Sequence, residues 1–387
     1  MRARWAAVAT PVLLLMACGA GDDAAVDGSG IPTPSSPDGP ADAHIPDTGT
    51  LVAAIGGDPD HLDPHTATSA FAFAVLENVY DTLVQPGADL TMEPALAESW
   101  DVSDDRLTWT FRLRAGVVFH DGTGLTAADV VASLEHVVAE GANGWRLDMV
   151  DTFTAVDDLT VEVALNRVAP NLLEHLGAFR GMAIAPARAI EAGALADDPV
   201  GTGAFAFTSR TPGDRIVVER FDDHWGGAAA LDAVEFRVIA DQTEKVAQLQ
   251  AGEVDWIDTV APEQIAVLEA SDDVVVGQVA GSDHQHLALN NRRAPFDNVR
   301  VRQAIAYAID IVAVTEAARL DAGTPNETAI PPSSTWYHEY TRFGHDPDRA
   351  RRLLEDAGVR NLTIDLMVSS DFPETITAAL GTRGSAR

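Results

Sequence analysis

Two closely spaced histidines are the residues of this sequence that most directly suggest chemistry. His284 and His286 are separated by one residue, so on a β-strand both imidazoles would lie on the same face. Imidazole is a common ligand of transition metals, but the sequence offers no identifiable third ligand nearby. The alternative interpretation is a pair of polar histidines that contact a solute or the solvent. We therefore predict no resident metal and no other cofactor.

The single cysteine, Cys18, ends a segment with the character of an export signal. Arg2 and Arg4 precede an apolar run, residues 5–17, which is too short to span a bilayer. The last residues before the cysteine resemble a bacterial lipobox. This resemblance predicts a signal peptide at residues 1–17 and lipidation of Cys18. An ordinary secretory signal followed by a coincidental cysteine is the alternative.

Composition narrows the class of protein. The chain has 387 residues, 46% of them hydrophobic, which is enough to form two or more domains with real cores. Its formal net charge of −33 disfavours a nucleic-acid partner, because phosphate binding needs clustered Lys and Arg. Residues 18–48 are rich in Gly, Pro, Ser and Asp and predict a flexible tether. Together these features predict a protein anchored by lipid on the extracytoplasmic face of the cell membrane.

Downstream of the tether, strand and helix patterns are interleaved, which predicts an α/β protein. Segment 107–114 alternates between apolar and polar residues and predicts a strand with one buried face. Thr126, with Asp129 three residues later, predicts the start of a helix. Apolar spacing over residues 66–83 predicts another helix. No GxSxG, HExxH, P-loop or EF-hand motif occurs, so an enzyme is disfavoured.

Short motifs follow one another through the body of the chain. They are Asp60–His65 (DHLDPH), Glu77–Leu83 (ENVYDTL), Pro94–Trp100 (PALAESW), Leu107–Gly122 (LTWTFRLRAGVVFHDG), Pro199–Phe205 (PVGTGAF), Asp223–Trp225 (DHW) and Leu249–Asp255 (LQAGEVD). In this order they resemble the solute-binding proteins of ABC importers, family 5, the oligopeptide- and dipeptide-binding type. The resemblance covers about residues 50–370.

The resemblance implies a two-lobed periplasmic-binding-protein-like fold of the class II type, with a hinge and a ligand cleft between the lobes. Lobe I is expected at residues 49–82 and 198–284, an inserted subdomain at 83–197, and lobe II at 285–387. A helix expected from residue 375 gives way to a tail, residues 381–387, that resembles nothing in the family. We therefore expect lobe II to be incomplete and the chain to be truncated at its C-terminus.

The implied function is a monomeric receptor that captures a peptide or a similar small solute and delivers it to a permease and ATPase complex. An aromatic residue on a loop of the inserted subdomain could stack on the ligand. The predicted ligand contacts are Ser69, Ala70, Phe71, Trp145, His284 and His286. For Ser69, Ala70 and Phe71 the alternative is an ordinary helix N-terminus with Phe71 in the core. For Trp145 the alternative is a loop anchor. A nickel or metal-chelate receptor and a non-functional truncated product remain alternative interpretations of the whole chain.

Overall fold

The computed structural model describes residues 4–8, 49–87, 91–278, 285–330, 332, 337–340, 342–368 and 373–385. These residues divide into two compact units, a larger one at 49–257 and a smaller one formed by 4–8 and 258–385. Cys18, His284 and the predicted tether lie outside the described residues. Within the described ranges, every helix is too short or too polar to cross a lipid bilayer.

Strands and helices alternate along the chain. The strands are β1 (Arg4–Val8), β2 (Thr50–Ile55), β3 (Val84–Pro86), β4 (Met92–Pro94), β5 (Ala97–Val102), β6 (Thr108–Leu113), β7 (Val150–Asp157), β8 (Thr160–Leu165), β9 (Phe205–Thr211), β10 (Arg215–Arg220), β11 (Ala233–Val238), β12 (Trp256–Ile257) and β13 (Val274–Gln278). The helices are α1 (Ala70–Leu76), α2 (Ala127–Glu140), α3 (Leu172–Gly177), α4 (Phe179–Met182), α5 (Ala187–Ala192), α6 (Gln242–Ala251), α7 (Pro262–Glu269), α8 (Val299–Ala308), α9 (Ile311–Arg319), α10 (Pro347–Asp356) and α11 (Pro373–Ser385). Short 3-10 turns occupy Gly144–Leu147 and Leu320–Ala322.

The larger unit contains a mixed sheet in which β12, β2, β11, β10 and β9 are neighbours in that order. Strand β2 pairs in parallel with β12 and β11, whereas β10 pairs antiparallel with β11 and β9. Helix α1 packs on this sheet because its apolar residues face the same core as the sheet. That core includes Ala53, Ile55, Phe73, Leu76, Phe205, Val234 and Phe236, all buried.

A second sheet in the larger unit is four-stranded and antiparallel, in the order β5-β6-β8-β7. On β6, Trp109, Phe111 and Leu113 are buried and Arg112 is exposed, which confirms the predicted alternation. Helix α2 covers this sheet and contributes Val130, Leu134 and Val137 to a separate core. Each strand therefore places one face in a hydrophobic layer and leaves the other accessible to water.

Helix α2 begins as the sequence predicts. The Asp129 carboxylate accepts hydrogen bonds from the Thr126 backbone N–H at 2.9 Å and from the Thr126 hydroxyl at 2.8 Å. This capping box satisfies groups that the first helical turn leaves unpaired, and so fixes where the helix starts.

The helix predicted over residues 66–83 is wrong in extent, since α1 ends at Leu76. The amide Nδ2 of Asn78 donates to the carbonyl oxygen of Ala74 at 2.9 Å and so satisfies a terminal carbonyl. The following residues, Val79 and Tyr80, are buried outside any helix. Apolar spacing alone could not distinguish this buried turn from a continued helix.

The smaller unit contains the parallel pair β1 and β13 and a helical part in which α8 packs on α10. Tyr307 and Phe343 meet edge to face at 5.2 Å beside the buried Ala304 and Ala350. Strand β1 lies within the predicted signal peptide, whose removal stays a prediction. Residues 285–290 are irregular, so His286 does not lie on a strand. One expectation fails in this unit, because α11 continues through the predicted tail to Ser385.

Candidate ligand-binding surface

Three of the sequence motifs meet at the carboxylate of Asp81. Its Oδ2 accepts hydrogen bonds from the Thr202 hydroxyl and from the Trp225 indole N–H, both at 2.8 Å. The backbone carbonyl of Asp81 also accepts from the Ile184 N–H at 2.9 Å. Because these donors come from distant parts of the sequence, Asp81 fixes the relative positions of several loops in the larger unit.

Two glycines allow those loops to come together. A Cβ atom placed on Gly201 would lie 2.1 Å from the Val79 carbonyl oxygen and 2.7 Å from the Tyr80 ring. A Cβ on Gly203 would lie 2.5 Å from the Asn78 carbonyl oxygen. No side chain fits at such distances, so the PVGTGAF turn needs glycine here for its close backbone approach.

His120 ties the same turn to the second sheet. The Gly201 N–H donates to Nδ1 of His120 at 3.3 Å, and Nε2 lies 2.9 Å from the Gly203 carbonyl oxygen. A proton on Nε2 satisfies both hydrogen bonds with a neutral ring. Burial lowers the pKa of His120, although the Gly203 carbonyl works in the opposite direction. Both ring nitrogens of His120 therefore hold the PVGTGAF turn in place.

The start of α1 carries the first predicted contacts. The Ser69 hydroxyl oxygen caps the helix by accepting from the Phe71 N–H at 3.2 Å, and Ala70 is the first helical residue. The Phe71 ring lies on the loop after β2, where a Cβ on Gly57 would come within 2.5 Å of the ring. Phe71 is half-buried against the core and keeps part of its ring accessible.

Trp145 projects from the 3-10 turn that follows α2, with 64% of its side chain exposed. Its neighbour Leu147 is buried and holds the turn in place. The Arg146 guanidinium lies 5.0 Å from the indole centroid, and the His175 ring meets the indole edge to face at 6.5 Å. An indole this exposed leaves apolar area that a ligand can cover.

The Arg180 guanidinium lies near both α1 and this turn. Phe73 of α1 has the Arg180 guanidinium 5.9 Å from its ring centroid, and the positive charges of Arg180 and Arg146 are close enough to interact. Burial raises the pKa of Glu77, at the end of α1, to about 7, although Arg180 works against that rise. Guanidinium groups therefore lie beside aromatic rings at two places, the buried Phe73 and the exposed Trp145.

The backbone also joins the two regions. The Ala142 N–H, just before the 3-10 turn, donates to the His65 carbonyl oxygen at 3.1 Å. The His65 ring is fully buried, with Nε2 2.8 Å from the Ala183 carbonyl oxygen. Burial lowers the pKa of His65. The segment that leads into α1 and the turn that carries Trp145 are thus held against each other.

The predicted histidine pair is only partly described. His286 lies in the smaller unit, exposed on an irregular segment, and His284 lies outside the described residues. Across the described residues, no three His, Cys, Asp or Glu side chains come close enough to hold a metal ion. The sequence analysis missed Glu77, Arg146 and Arg180, because a lone charged residue carries no signal until its neighbours are known.

A model of the bacterial extracellular solute-binding proteins, family 5 Middle, matches residues 91–386 of the chain. The chain belongs to this family. This match includes residues 381–386. The expectation that residues 381–387 resemble nothing in family 5 is therefore wrong for residues 381–386. Because family 5 consists of solute-binding proteins, the match confirms the prediction of a non-enzymatic class.

A family 5 relative is the glutathione-binding protein GsiB of Pectobacterium atrosepticum, 33% identical over 315 residues. The alignment covers 80% of this chain and 61% of GsiB, so the chain spans less than two thirds of that relative.

Two solved structures share the fold. The periplasmic binding protein DppA of Helicobacter pylori, in complex with the peptide STSA, matches with a TM-score of 0.71 and 29% identity, over 80% of this chain and 66% of DppA. AgaA of A. tumefaciens R10, in complex with agropinic acid, matches with a TM-score of 0.76 and 30% identity, over 87% of this chain and 70% of AgaA. These similarities confirm the predicted fold class.

Proposed function

We propose that this chain is the solute-binding receptor of an ABC importer and that it captures peptides or similar small solutes. The observation that carries the proposal is the family 5 match over residues 91–386. Relatives named for binding glutathione and a tetrapeptide support a peptide-like ligand. The guanidinium and aromatic groups between α1 and Trp145 suit the carboxylates and apolar side chains of short peptides.

In this proposal the ligand contacts are the six residues expected from the sequence. The accessible parts of Phe71 and Trp145 supply apolar area, and each Å² that a ligand covers contributes about 25 cal/mol. A ligand that contacts both lobes stabilises the closed form and shifts the population towards it. The contacts are Ser69, Ala70, Phe71, Trp145, His284 and His286.

The proposed domain organisation follows the resemblance to family 5. Lobe I comprises residues 49–82 and 198–284, the inserted subdomain 83–197, and lobe II begins at 285. The receptor acts as a monomer and delivers its solute to a permease and ATPase complex. Residues 18–48 tether it to a lipidated Cys18 on the extracytoplasmic face of the membrane.

Calorimetric titration of the full chain tests the binding function directly. The ligands are glutathione, the peptide Ser-Thr-Ser-Ala and agropinic acid, and we expect saturable one-to-one binding of at least one of them. Phe71→Ala and Trp145→Ala should weaken that binding, whereas Val138→Ala, an exposed position on α2, should not. If none of the three ligands binds, the peptide-receptor function is contradicted. Binding that requires added nickel would favour the metal-chelate receptor.

The lipid anchor has its own test. In a bacterial host, the unaltered chain should incorporate labelled fatty acid and sediment with membranes. The variant Cys18→Ser should incorporate none and appear in the soluble extracytoplasmic fraction. Equal labelling of both proteins would contradict the anchor and leave the binding function untouched.

A further inference from the structure

A cavity of about 250 Å³ lies between the 3-10 turn and α3 in the larger unit. One wall is apolar and includes Met149 and Pro170. The remaining lining is polar and aromatic, and comprises Trp145, Arg146, Asp148, Arg167, Asn171 and His175. A water molecule occupies about 30 Å³ in the liquid, so this space suits a ligand of roughly ten non-hydrogen atoms.

Two buried hydrogen-bond donors in this lining have no partner. Nε of Arg146 is buried and makes no hydrogen bond. The Asn171 amide nitrogen lies 2.8 Å from Nε2 of His175 and can only donate, so Nε2 accepts and the neutral ring carries its proton on Nδ1. That Nδ1 is also buried without a partner. Leaving such donors unsatisfied costs free energy, which a ligand oxygen recovers when it displaces the side chains that cover them.

The charge balance favours a single negative charge on the ligand. Arg167 is already neutralised, since its guanidinium forms an ion pair with Asp148 and also donates to the Asp148 carbonyl oxygen at 3.1 Å. Among the described residues, no carboxylate lies within ion-pairing distance of Arg146. Burial, followed by the charge of Arg146, lowers the pKa of His175, which therefore contributes a neutral donor. One guanidinium and one N–H suit a monoanion better than a dianion.

We propose that this cavity binds the carboxylate group of a small ligand through Arg146 and His175, with the apolar part of the ligand against Trp145 and Met149. A planar guanidinium matches the geometry of a carboxylate, which favours this group over other monoanions. The proposal deepens the proposed receptor function, since Trp145 belongs to both. It adds the ligand group that is recognised and the two side chains that recognise it.

The test compares phenylacetate with phenylacetamide, which have the same shape and differ in charge. Binding to the full chain is measured by ligand-observed NMR titration. Phenylacetate should saturate the cavity and bind at least about tenfold more tightly than the amide, because a hydrogen bond to a charged group is worth roughly that factor. The variant Arg146→Gln should abolish the preference for the acid.

Arg112→Gln is the matched control, since it removes the same charge from an exposed position on β6. It should keep the preference for phenylacetate, and the unfolding midpoints of both variants verify that each is folded. No saturable phenylacetate binding, equal affinity for acid and amide, or equal effects of the two variants would overturn the proposal.

A second pair of ligands identifies the source of the carboxylate. If N-acetyl-Gly-Phe displaces phenylacetate and its C-terminal amide does not, the cavity recognises a peptide C-terminus. If neither displaces it, the cavity recognises free small acids. Phenylacetate binding without any peptide binding would support the cavity proposal and contradict the peptide-receptor function. Peptide binding that Arg146→Gln leaves unchanged would support the peptide-receptor function and contradict the cavity proposal.

Discussion

The indole N–H of Trp225 donates a hydrogen bond to the carboxylate of Asp81, 144 residues earlier in the chain, at 2.8 Å. The same carboxylate oxygen accepts from the hydroxyl of the buried Thr202. One acidic side chain thus joins two loops, which the Phe221 N–H and the Ala204 carbonyl oxygen also link at 2.9 Å. Its removal would leave both donors without an acceptor.

Asp81→Ala should lower the free energy of unfolding by about 2–4 kcal/mol, because two enclosed donors lose their charged partner. Urea denaturation followed by fluorescence measures the change. Asp101→Ala is the control, since Asp101 pairs with Arg112 on the exposed side of the second sheet and should cost less than about 1 kcal/mol. Similar losses in the two variants would show that Asp81 has no special structural role.

Gly201→Ala should be among the most damaging single substitutions in the larger unit. The added methyl group would lie 2.1 Å from the Val79 carbonyl oxygen, and backbone cannot move aside as a flexible side chain can. We expect a loss of about 3 kcal/mol or more, or failure to accumulate as folded protein. Gly124→Ala, where nothing lies within 4 Å of the new methyl group, should unfold like the unaltered chain.

Glu77 should make stability depend on pH. Burial raises its pKa in the folded state to about 7 from an ordinary value of 4.5, so folding favours the protonated acid. The stabilisation is present below pH 4.5 and is lost as the pH rises through about 7. Glu77→Gln cannot ionise, so its unfolding free energy relative to the unaltered chain should rise by roughly 3 kcal/mol between pH 4.5 and pH 8.

Urea unfolding of both proteins across this range measures that difference. The buried His65 and the half-buried His120 have lowered pKa values, so each favours unfolding as the pH falls below 6.5. Both histidines are present in the unaltered chain and in Glu77→Gln, so their effects on the unfolding free energy cancel in the difference between the two proteins. A difference that stays constant from pH 4.5 to pH 8 would mean that Glu77 ionises normally in the folded state.

Trp145→Ala and Trp109→Ala separate a surface aromatic from a core aromatic. Trp109 is only 9% exposed, and its loss should cost about 3–5 kcal/mol. Trp145 is 64% exposed, and its loss should cost less than about 1 kcal/mol. Thermal and urea unfolding provide both values. A large loss for Trp145→Ala would identify it as an anchor of its turn.

Strand alternation and helix capping were predictable from the sequence, because interactions between residues close in the chain determine them. The alternation around Phe111 and the cap formed by Thr126 and Asp129 depend on neighbours within a few residues, and both are confirmed. The end of α1 was not predictable in this way. It depends on the Asn78 side chain satisfying a carbonyl oxygen and on tertiary burial of the residues that follow.

The residues around the candidate site were harder to predict from the sequence. Trp145 was identified as an aromatic residue on a loop, but its polar neighbours were not. Arg146 and His175 lie 29 residues apart and meet only because the 3-10 turn and α3 line one cavity. Motifs located Asp81, Thr202 and Trp225 separately, and only the folded chain shows that they share hydrogen bonds.

The position of Asp81 in the sequence has a kinetic consequence. Its two donors lie 121 and 144 residues downstream, so the carboxylate cannot be satisfied until the chain has been synthesised through Trp225. Closing such long loops carries an entropic cost before any contact is gained, which slows folding. Early segments of the larger unit therefore remain incompletely folded while more than half of the chain is made. A nascent protein with this topology keeps part of its larger unit unfolded, and exposed to aggregation, until late in its synthesis.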